Sequence, residues 1–431
     1  MRITLSPENQ THQTTPPKRI TMMLPWIIWG IAAVFYFTQY FARVSIGVMT
    51  NSLMLTFKTN SLTVGNIAAA FYYGYIPMQF LSGMLFDHFR MKRLLVGALA
   101  FAALGLVLFS VAVDPAMAGL GRFFLGAGSA FAFIGAIKLA ATWFPIARLS
   151  FMTCITQAVG IFGAVFGLAP IAFLVQHIGW RLSSAMITII FIILLILSIK
   201  FIVDAPYDAI PVEERGKHPI WKGLQGVIKN KINWYNALFI GFLYAPIVAL
   251  GELWGSNFFQ TSFAISPKEA ATVTALLFVG YGIGAPLFGV ISDKLNVRVP
   301  LMMVSAICSL ILFCFIVYAH DLDLASLMLF AFFFGLVNGG STLTYALASY
   351  INPKASTGTA IALMSVMSIL FGMISQPVIG WLLDINGEKF HGIMHYTVSD
   401  YRIALASQVI CIVGAIIMAA ILWRKFKDAV R

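Results

Sequence analysis

Four ionisable side chains lie inside long apolar stretches of this 431-residue chain: Arg43, Arg122, Lys138 and Glu252. A charge in such a place is costly unless it faces a partner or an aqueous cavity, so each is a candidate for function. Arg43 and Glu252 stand 209 residues apart, close to half the chain. A guanidinium and a carboxylate that meet out of water favour the charged acid, whereas the same acid left alone in an apolar cavity binds a proton more readily. Such a pair makes Glu252 a proton site whose affinity depends on conformation. The plainer reading is a static ion pair, or a glutamate reaching the membrane interface. Arg122 has Ser129 on the same helical face seven residues on. Its planar fork suits a carboxylate or phosphate, and equally a brace to helix ends and carbonyls. Lys138 lies about 24 Å further along by helical rise, near the membrane surface, where lysines snorkel.

Two polar stripes accompany these charges. Tyr36, Gln39, Tyr40 and Arg43 follow the i, i+3, i+4, i+7 spacing of one helical face, and Asn338, Thr342 and Tyr345 follow i, i+4, i+7. Both read as cavity lining that touches substrate, although polar stripes also bond helix to helix. Gln157 and Gln376, the latter just before Pro377, are further substrate-binding candidates, while Tyr72, Tyr73 and Tyr75 read as packing residues. Enzyme chemistry has no comparable constellation. The histidines (12, 88, 177, 218, 320, 391 and 395) fall in tails and loops without metal-ligand grouping, and no Gly-x-x-x-x-Gly-Lys-Ser/Thr motif is present. The cysteines, Cys154, Cys308, Cys314 and Cys411, sit in apolar runs as small core residues. No catalytic residue, metal site or cofactor is expected, and the energy must come from gradients.

The elements that hold these residues are membrane spans. Sixty percent of the residues are apolar and only 10% charged, with a mean hydropathy of +0.89, against about 25% charged residues in soluble domains. Apolar runs fall near 23–48, 63–86, 94–113, 117–141, 149–176 and 182–203, then near 233–258, 269–292, 300–319, 324–350, 356–383 and 402–423. Each is long enough to span a bilayer. The expectation is an all-α membrane protein of 12 transmembrane helices. It divides into a tail 1–21, a six-helix bundle 22–203, a linker 204–232, a second bundle 233–424 and a tail 425–431. The net charge of +12 reflects topology, not nucleic acid: Lys and Arg crowd the tails, the linker and alternate loops, which places both termini in the cytoplasm. The polar first segment, ending Pro16-Pro17-Lys18-Arg19, reads as a retained tail and not a cleaved signal.

The two halves repeat. Gly83-Met-Leu-Phe-Asp87-His-Phe-Arg90-Met-Lys92-Arg93 closes the second run, and Gly289-Val-Ile-Ser-Asp293-Lys294-Leu-Asn296-Val-Arg298 closes the eighth, 206 residues later. Gly179-Trp180-Arg181 and Asp400-Tyr401-Arg402 open the sixth and twelfth in a similar echo. Repeats of this kind put a substrate site between the halves, and the near-match of 209 to 206 places Arg43 and Glu252 at equivalent depth.

These residues resemble the major facilitator superfamily over nearly the whole chain. The Gly83…Asp87…Arg90…Arg93 loop is similar to that family's loop 2–3 motif, with His88 in place of the usual basic residue and Arg90 in place of the second glycine. The resemblance implies a gate on the cytoplasmic side, with Asp87 capping a neighbouring helix end; Arg90, Arg93, Asp293 and Arg298 are its other expected members. Leu120-Gly-Arg122-Phe-Phe-Leu-Gly126-Ala-Gly128-Ser129 resembles the fourth-helix motif. Gly128 through Phe144, with Phe41-Ala42-Arg43-Val44-Ser45 and Gly251-Glu252-Leu-Trp254-Gly255, resembles the bacterial phagosomal-transporter branch. That likeness implies uptake of amino acids or nucleosides, and relatives handle carboxylate siderophores. Organic-anion:proton symporters of the superfamily often carry Asp-Arg in the first helix and Glu in the fourth; Ala42-Arg43 and Ser129 stand here, so only the arginine carries over. The fifth helix lacks the full Gly-Pro-x-x-Gly-Gly ending of drug antiporters.

The expected function is therefore proton-coupled import of a small polar or anionic metabolite (amino acid, nucleoside, organic carboxylate or carboxylate siderophore), by a monomer in the bacterial inner membrane. Efflux of such a compound and a transporter-like nutrient sensor are the alternatives.

Overall fold

The computed structural model describes residues 23–145, 148–203, 220–319, 322–353, 356–390 and 393–429. The N-terminal tail and most of the linker lie outside the described residues. Among those described, twelve long helices alternate in direction, six on either side of the linker. The first half holds α1 (Leu24–Val44), α2 (Ser61–His88), α3 (Met91–Ser110), α4 (Pro115–Ser129 and Ala132–Trp143), α5 (Leu149–Phe166, continued by 169–178) and α6 (180–201). The second holds α7 (Lys231–Val248), α8 (Pro267–Leu295), α9 (Val299–Tyr318), α10 (Leu324–Asn338 and Leu343–Ile351), α11 (Thr357–Asn386) and α12 (Val398–Ala429). A short helix, Ile220–Lys229, ends the linker. The side holding the linker is called the linker side below, and the opposite one the far side.

Ten stretches are long and apolar enough to cross a membrane. The longest, Phe151–Phe201, is two passes: the chain turns at Gly179, between α5 and α6, where φ is +76°, a left-handed backbone open to glycine at no steric cost. The remaining helix, α2, is more polar, yet its 28 residues reach about 42 Å by helical rise. The expected all-α, twelve-helix architecture is thus the one observed. One element outside the all-α expectation is a far-side hairpin between α11 and α12, β1 (Glu388–Phe390) against β2 (Ile393–His395).

Contact between helices in lipid depends on small residues that let backbones approach. α2 meets α4 where a Cβ on Gly126 would fall 1.9 Å from the Phe71 carbonyl oxygen; α8 meets α10 where a Cβ on Gly284 would fall 1.9 Å from that of Leu336. The blocking atom is backbone in both cases and cannot swing away. Gly126→Ala is expected to force α2 from α4 and to cost about 1–3 kcal/mol, read as a lower melting temperature of the purified protein.

The helix-opening echoes prove to be matched braces. Arg181, on α6, donates to the Ala112 carbonyl just past α3 at 2.6 Å. Arg402, on α12, donates to the carbonyls of Val317 and Ala319 at the end of α9, at 3.0 and 3.3 Å. A cation is favoured at a helix C-terminus, where carbonyls lack intrahelical donors.

The four helices that carry the candidate charges and stripes are all interrupted. α1 passes into a 3-10 turn (Ser45–Val48) before a short helix Thr50–Phe57; α4 breaks at Ala130 and Phe131. α7 passes through a π-turn (Ala249–Trp254) into Gly255–Phe263, and α10 through a 3-10 turn (Gly339–Thr342). Irregular backbone at membrane depth persists only where protein or a polar cavity satisfies it.

Candidate functional site

The break in α1 frees carbonyls at the end of its straight segment, and Arg122 takes them: its Nη1 donates to Ala42 at 3.0 Å and its Nη2 to Arg43 at 3.1 Å. Of the two readings open for Arg122, the structure displays the brace. Fixed in this way, Arg43 projects across to the π-turn of α7, where its Nη2 is ion-paired with Glu252 Oε1. The other carboxylate oxygen, Oε2, accepts a hydrogen bond from the Tyr72 hydroxyl on α2. Arg43 is 3% exposed and Glu252 1%. The Arg43 guanidinium lies 5.1 Å from the ring centres of both Tyr40 and Tyr72, and that of Arg122 lies 5.2 Å from Phe71, which partly offsets the loss of water around the cations. Gly47 permits the approach: a Cβ there would meet the Glu252 carbonyl oxygen at 2.6 Å. The two interrupted segments therefore touch backbone to backbone.

Arg43 and Glu252 are not strict repeat mates. Asn51 and Asn257 keep the 206-residue offset and hydrogen-bond each other at 2.9 Å, so the pseudo-twofold axis runs between them. The positions 206 residues from Arg43 and Glu252 hold Ala249 and Ile46. The pair is three residues off strict repeat spacing yet meets at one depth, with Glu252 on the π-turn while its arginine ends a regular helix.

Around the pair, Tyr36 donates to Gln157 Oε1 on α5 at 2.7 Å, and its ring meets that of Tyr40 edge-on at 5.3 Å. Gln157 is exposed although it lies on the side of α5 that faces α1, so it borders open space rather than packed core. Tyr40 is half-buried and within electrostatic reach of Tyr36 and Tyr75 in its own half and of Tyr244, Tyr281 and Tyr345 in the other. Gln39 and Ser129 are fully buried, with side-chain polar atoms unpartnered by protein. The stripe on α10 does not hold together. Asn338 Nδ2 donates to Ser309 on α9 at 3.1 Å, and Thr342 Oγ1 to the Gly339 carbonyl at 2.8 Å, so these two make contacts inside their own half. Gln376 is buried at the seam of α2 and α11, where its carbonyl accepts from Trp254 Nε1 at 3.0 Å. Tyr72, read as a packing residue, is instead a ligand of Glu252. Tyr75 does stack, on Phe71 at 5.5 Å, and Tyr73 is exposed. Sequence reasoning also missed Tyr244, Tyr281, Asn51 and Asn257; the last two were discoverable, since the repeat offset links identical residues.

A family model described as Major Facilitator Superfamily matches residues 28–259 and 253–431. The chain belongs to the major facilitator superfamily. A probable sulfoacetate transporter, SauU, from Cupriavidus necator is 24% identical over 84% of this chain and 88% of its own. A probable galactarate/D-glucarate transporter, GudP, from Bacillus subtilis is 22% identical over 90% and 91%. Among solved structures, a bacterial homologue of the human lysosomal transporter Spinster, inward-facing and unoccupied, superposes with a TM-score of 0.79 at 15% identity, covering 95% of this chain and 98% of that one. This member of the superfamily is a multi-pass membrane transporter of a small molecule, not an enzyme.

Transporters of this superfamily must close one side while the other is open. Hydrogen bonds that join the halves lie at the level of Arg43 or farther toward the far side: Arg43 and Tyr72 to Glu252, Asn257 to Asn51, the N–H groups of Ser61 and Leu62 to Asp384, and the Ser61 N–H also to Tyr396. Among the described side chains of the linker-side gate expected from the family loop, none bonds the other half. Arg90, Arg93 and Asp293 are exposed, and Arg298 is half-buried with its guanidinium 5.5 Å from the Tyr350 ring in its own half. The side chain of Asp87 lies outside the described residues.

Proposed function

We propose that this transporter is a proton-coupled symporter that imports a small organic anion by rocking its two six-helix halves. The observation that carries the reading is the buried ion pair between Arg43 and Glu252, one residue from each half. A single guanidinium cannot fully serve two anions. When a substrate carboxylate, sulfonate or phosphate reaches Arg43 by bidentate hydrogen bonds, Glu252 loses its counter-charge in an apolar setting, and its protonated form becomes favoured. Substrate and proton then occupy the molecule together, and release of both restores the pair. Tyr36, Tyr40, Gln39, Gln157 and Tyr345 supply the surrounding donors and ring faces, with Arg122 and Ser129 behind Arg43. Asn338, Thr342 and Gln376 enter this reading only as members of the shell outside the contact layer. The surplus of Lys and Arg on the linker side supports a cytoplasmic linker with both termini cytoplasmic in a bacterial inner membrane.

The likeness to the phagosomal branch points to amino acids and nucleosides, whereas SauU and GudP are named for sulfoacetate and for galactarate and D-glucarate. Two buried arginines favour the anions. The test is a thermal-shift screen of purified protein against sulfonates, aldarates, other carboxylates, amino acids and nucleosides. Each hit is then assayed in proteoliposomes under an imposed pH gradient. Anionic hits whose uptake rises at least about tenfold with an acidic exterior are expected, equivalent to about 1.4 kcal/mol of drive. Hits confined to neutral nucleosides, or uptake indifferent to the gradient, overturn the reading.

A further inference from the structure

The far-side closure contains a device that neither the family motifs nor the ion pair accounts for. At the seam of α2 and α11, the Ser61 N–H donates to Asp384 Oδ1 at 3.0 Å and the Leu62 N–H to Oδ2 at 2.8 Å. These are the first two N–H groups of a 28-residue helix, which no intrahelical carbonyl can serve. The third, Thr63, is capped locally by Asn60 at 3.1 Å. A carboxylate carried by one half thus terminates a helix of the other, where the helix dipole favours negative charge. Tyr396, which follows the β1–β2 hairpin, donates to Asp384 Oδ1 at 2.5 Å and accepts from the Ser61 N–H at 3.2 Å. Burial, then the Asp384 carboxylate, raises the Tyr396 phenol above its ordinary range, so it remains a donor at any working pH. Gly380, one turn before Asp384, lets the Ser61 backbone in: a Cβ there would fall 2.5 Å from the Ser61 carbonyl oxygen.

Among the described residues, the opposite seam has no counterpart. The repeat mate of the α2 N-terminus is that of α8, and α8 caps itself through a box of Ser266 and Glu269. Its Lys268 faces Ala169, Pro170, Phe173 and Leu174 of α5 across a cavity of about 470 Å³, and deeper in, Ile161 of the same helix meets Gly282 through apolar atoms.

We propose that Asp384 is the latch of the far-side gate, holding the N-terminus of α2 while that side is shut and releasing it when the α2–α11 seam parts. The gate is therefore asymmetric, bonded along one seam and merely packed along the other. The latch rests on inter-half backbone bonds and stands whether or not Glu252 carries the proton.

The experiment is double electron–electron resonance on full-length protein in lipid nanodiscs, with Cys154, Cys308, Cys314 and Cys411 replaced by alanine. Spin labels are placed at Lys58 and Asn386, exposed residues on the two lips of the seam. Asp384→Asn keeps the side-chain shape but loses the charge, and Asp384→Ala loses both. Each is expected to raise the population of the longer distance at least about fivefold over the parent, with Tyr396→Phe giving a smaller shift in the same direction. Asp323→Asn, a far-side helix-capping position outside the seam, is expected to change nothing. If Asp384→Ala does not fold, Tyr396→Phe and Asp384→Asn decide the matter. Unchanged distance distributions in those variants, with or without a lower melting temperature, overturn the latch and leave Asp384 a structural cap.

Discussion

Glu252→Gln is expected to abolish accumulation of substrate against a gradient while leaving exchange of labelled for unlabelled substrate largely intact. Glutamine matches the shape of the glutamate and still offers Tyr72 an acceptor, so the π-turn of α7 keeps its contacts. What disappears is the charge that changes. Exchange needs only that the loaded carrier rock back and forth. Accumulation needs the empty carrier to return with a defined proton state, and an amide has none to give. Because Arg43 then has no internal competitor, substrate affinity is expected to rise even as concentrative uptake falls by more than about tenfold toward equilibration. The measurement is paired uptake and counterflow in proteoliposomes with an acidic exterior. Accumulation equal to that of the parent would remove Glu252 from coupling, whatever it does for stability. Tyr72→Phe, which removes one donor to the carboxylate and keeps Arg43, should weaken coupling without abolishing it.

Arg43→Ala is expected to reduce anion uptake and exchange together, by at least about 100-fold. The variant loses the bidentate partner for the substrate and strands Glu252 without its counter-ion. Removing one member of a buried pair destabilises by about 3–5 kcal/mol unless the remaining group neutralises, and here the glutamate can take a proton and survive. Folding and binding are therefore separable: the protein should still elute as a single species, yet show no thermal shift with the anion that stabilises the parent. Arg43→Lys restores charge but not the planar fork and is expected to recover only part of the activity. Full activity of Arg43→Ala would discard the anion site while leaving the transporter assignment untouched.

The sequence was explicit about spans, halves and the charged pair because each follows from a rule that acts over short range: apolar length, repeat spacing, and the cost of charge in lipid. It was misleading where helices stop being regular. Asn338, Thr342 and Tyr345 keep a 3.6-residue spacing on paper, but a 3-10 turn at Gly339–Thr342 intervenes, and a period drawn through it no longer marks one face. The spacing of Arg43 and Glu252 is three residues off the repeat, and it gave no sign that Glu252 would sit on a π-turn. Asp384 was invisible for another. It ends an apolar run beside polar loop residues, and nothing nearby in sequence indicates that its partners are the amides of Ser61 and Leu62, more than 300 residues away. Tyr72 lies among aromatics that mostly pack, so its hydroxyl bond to Glu252 could only be seen in three dimensions.

Asn51 facing Asn257 is a contact that two identical six-helix units could make across a twofold axis, each asparagine meeting its own copy. Arg43 facing Glu252 is not, because a symmetric pair of units would own that contact twice, and here Ala249 and Ile46 fill the second set of places. Covalent fusion of the halves thus permits a solitary titratable acid on the path. In the proposed mechanism a single proton passes through this glutamate per turnover, so uphill transport of a monovalent anion by this route would draw on the pH difference alone and proceed without net current.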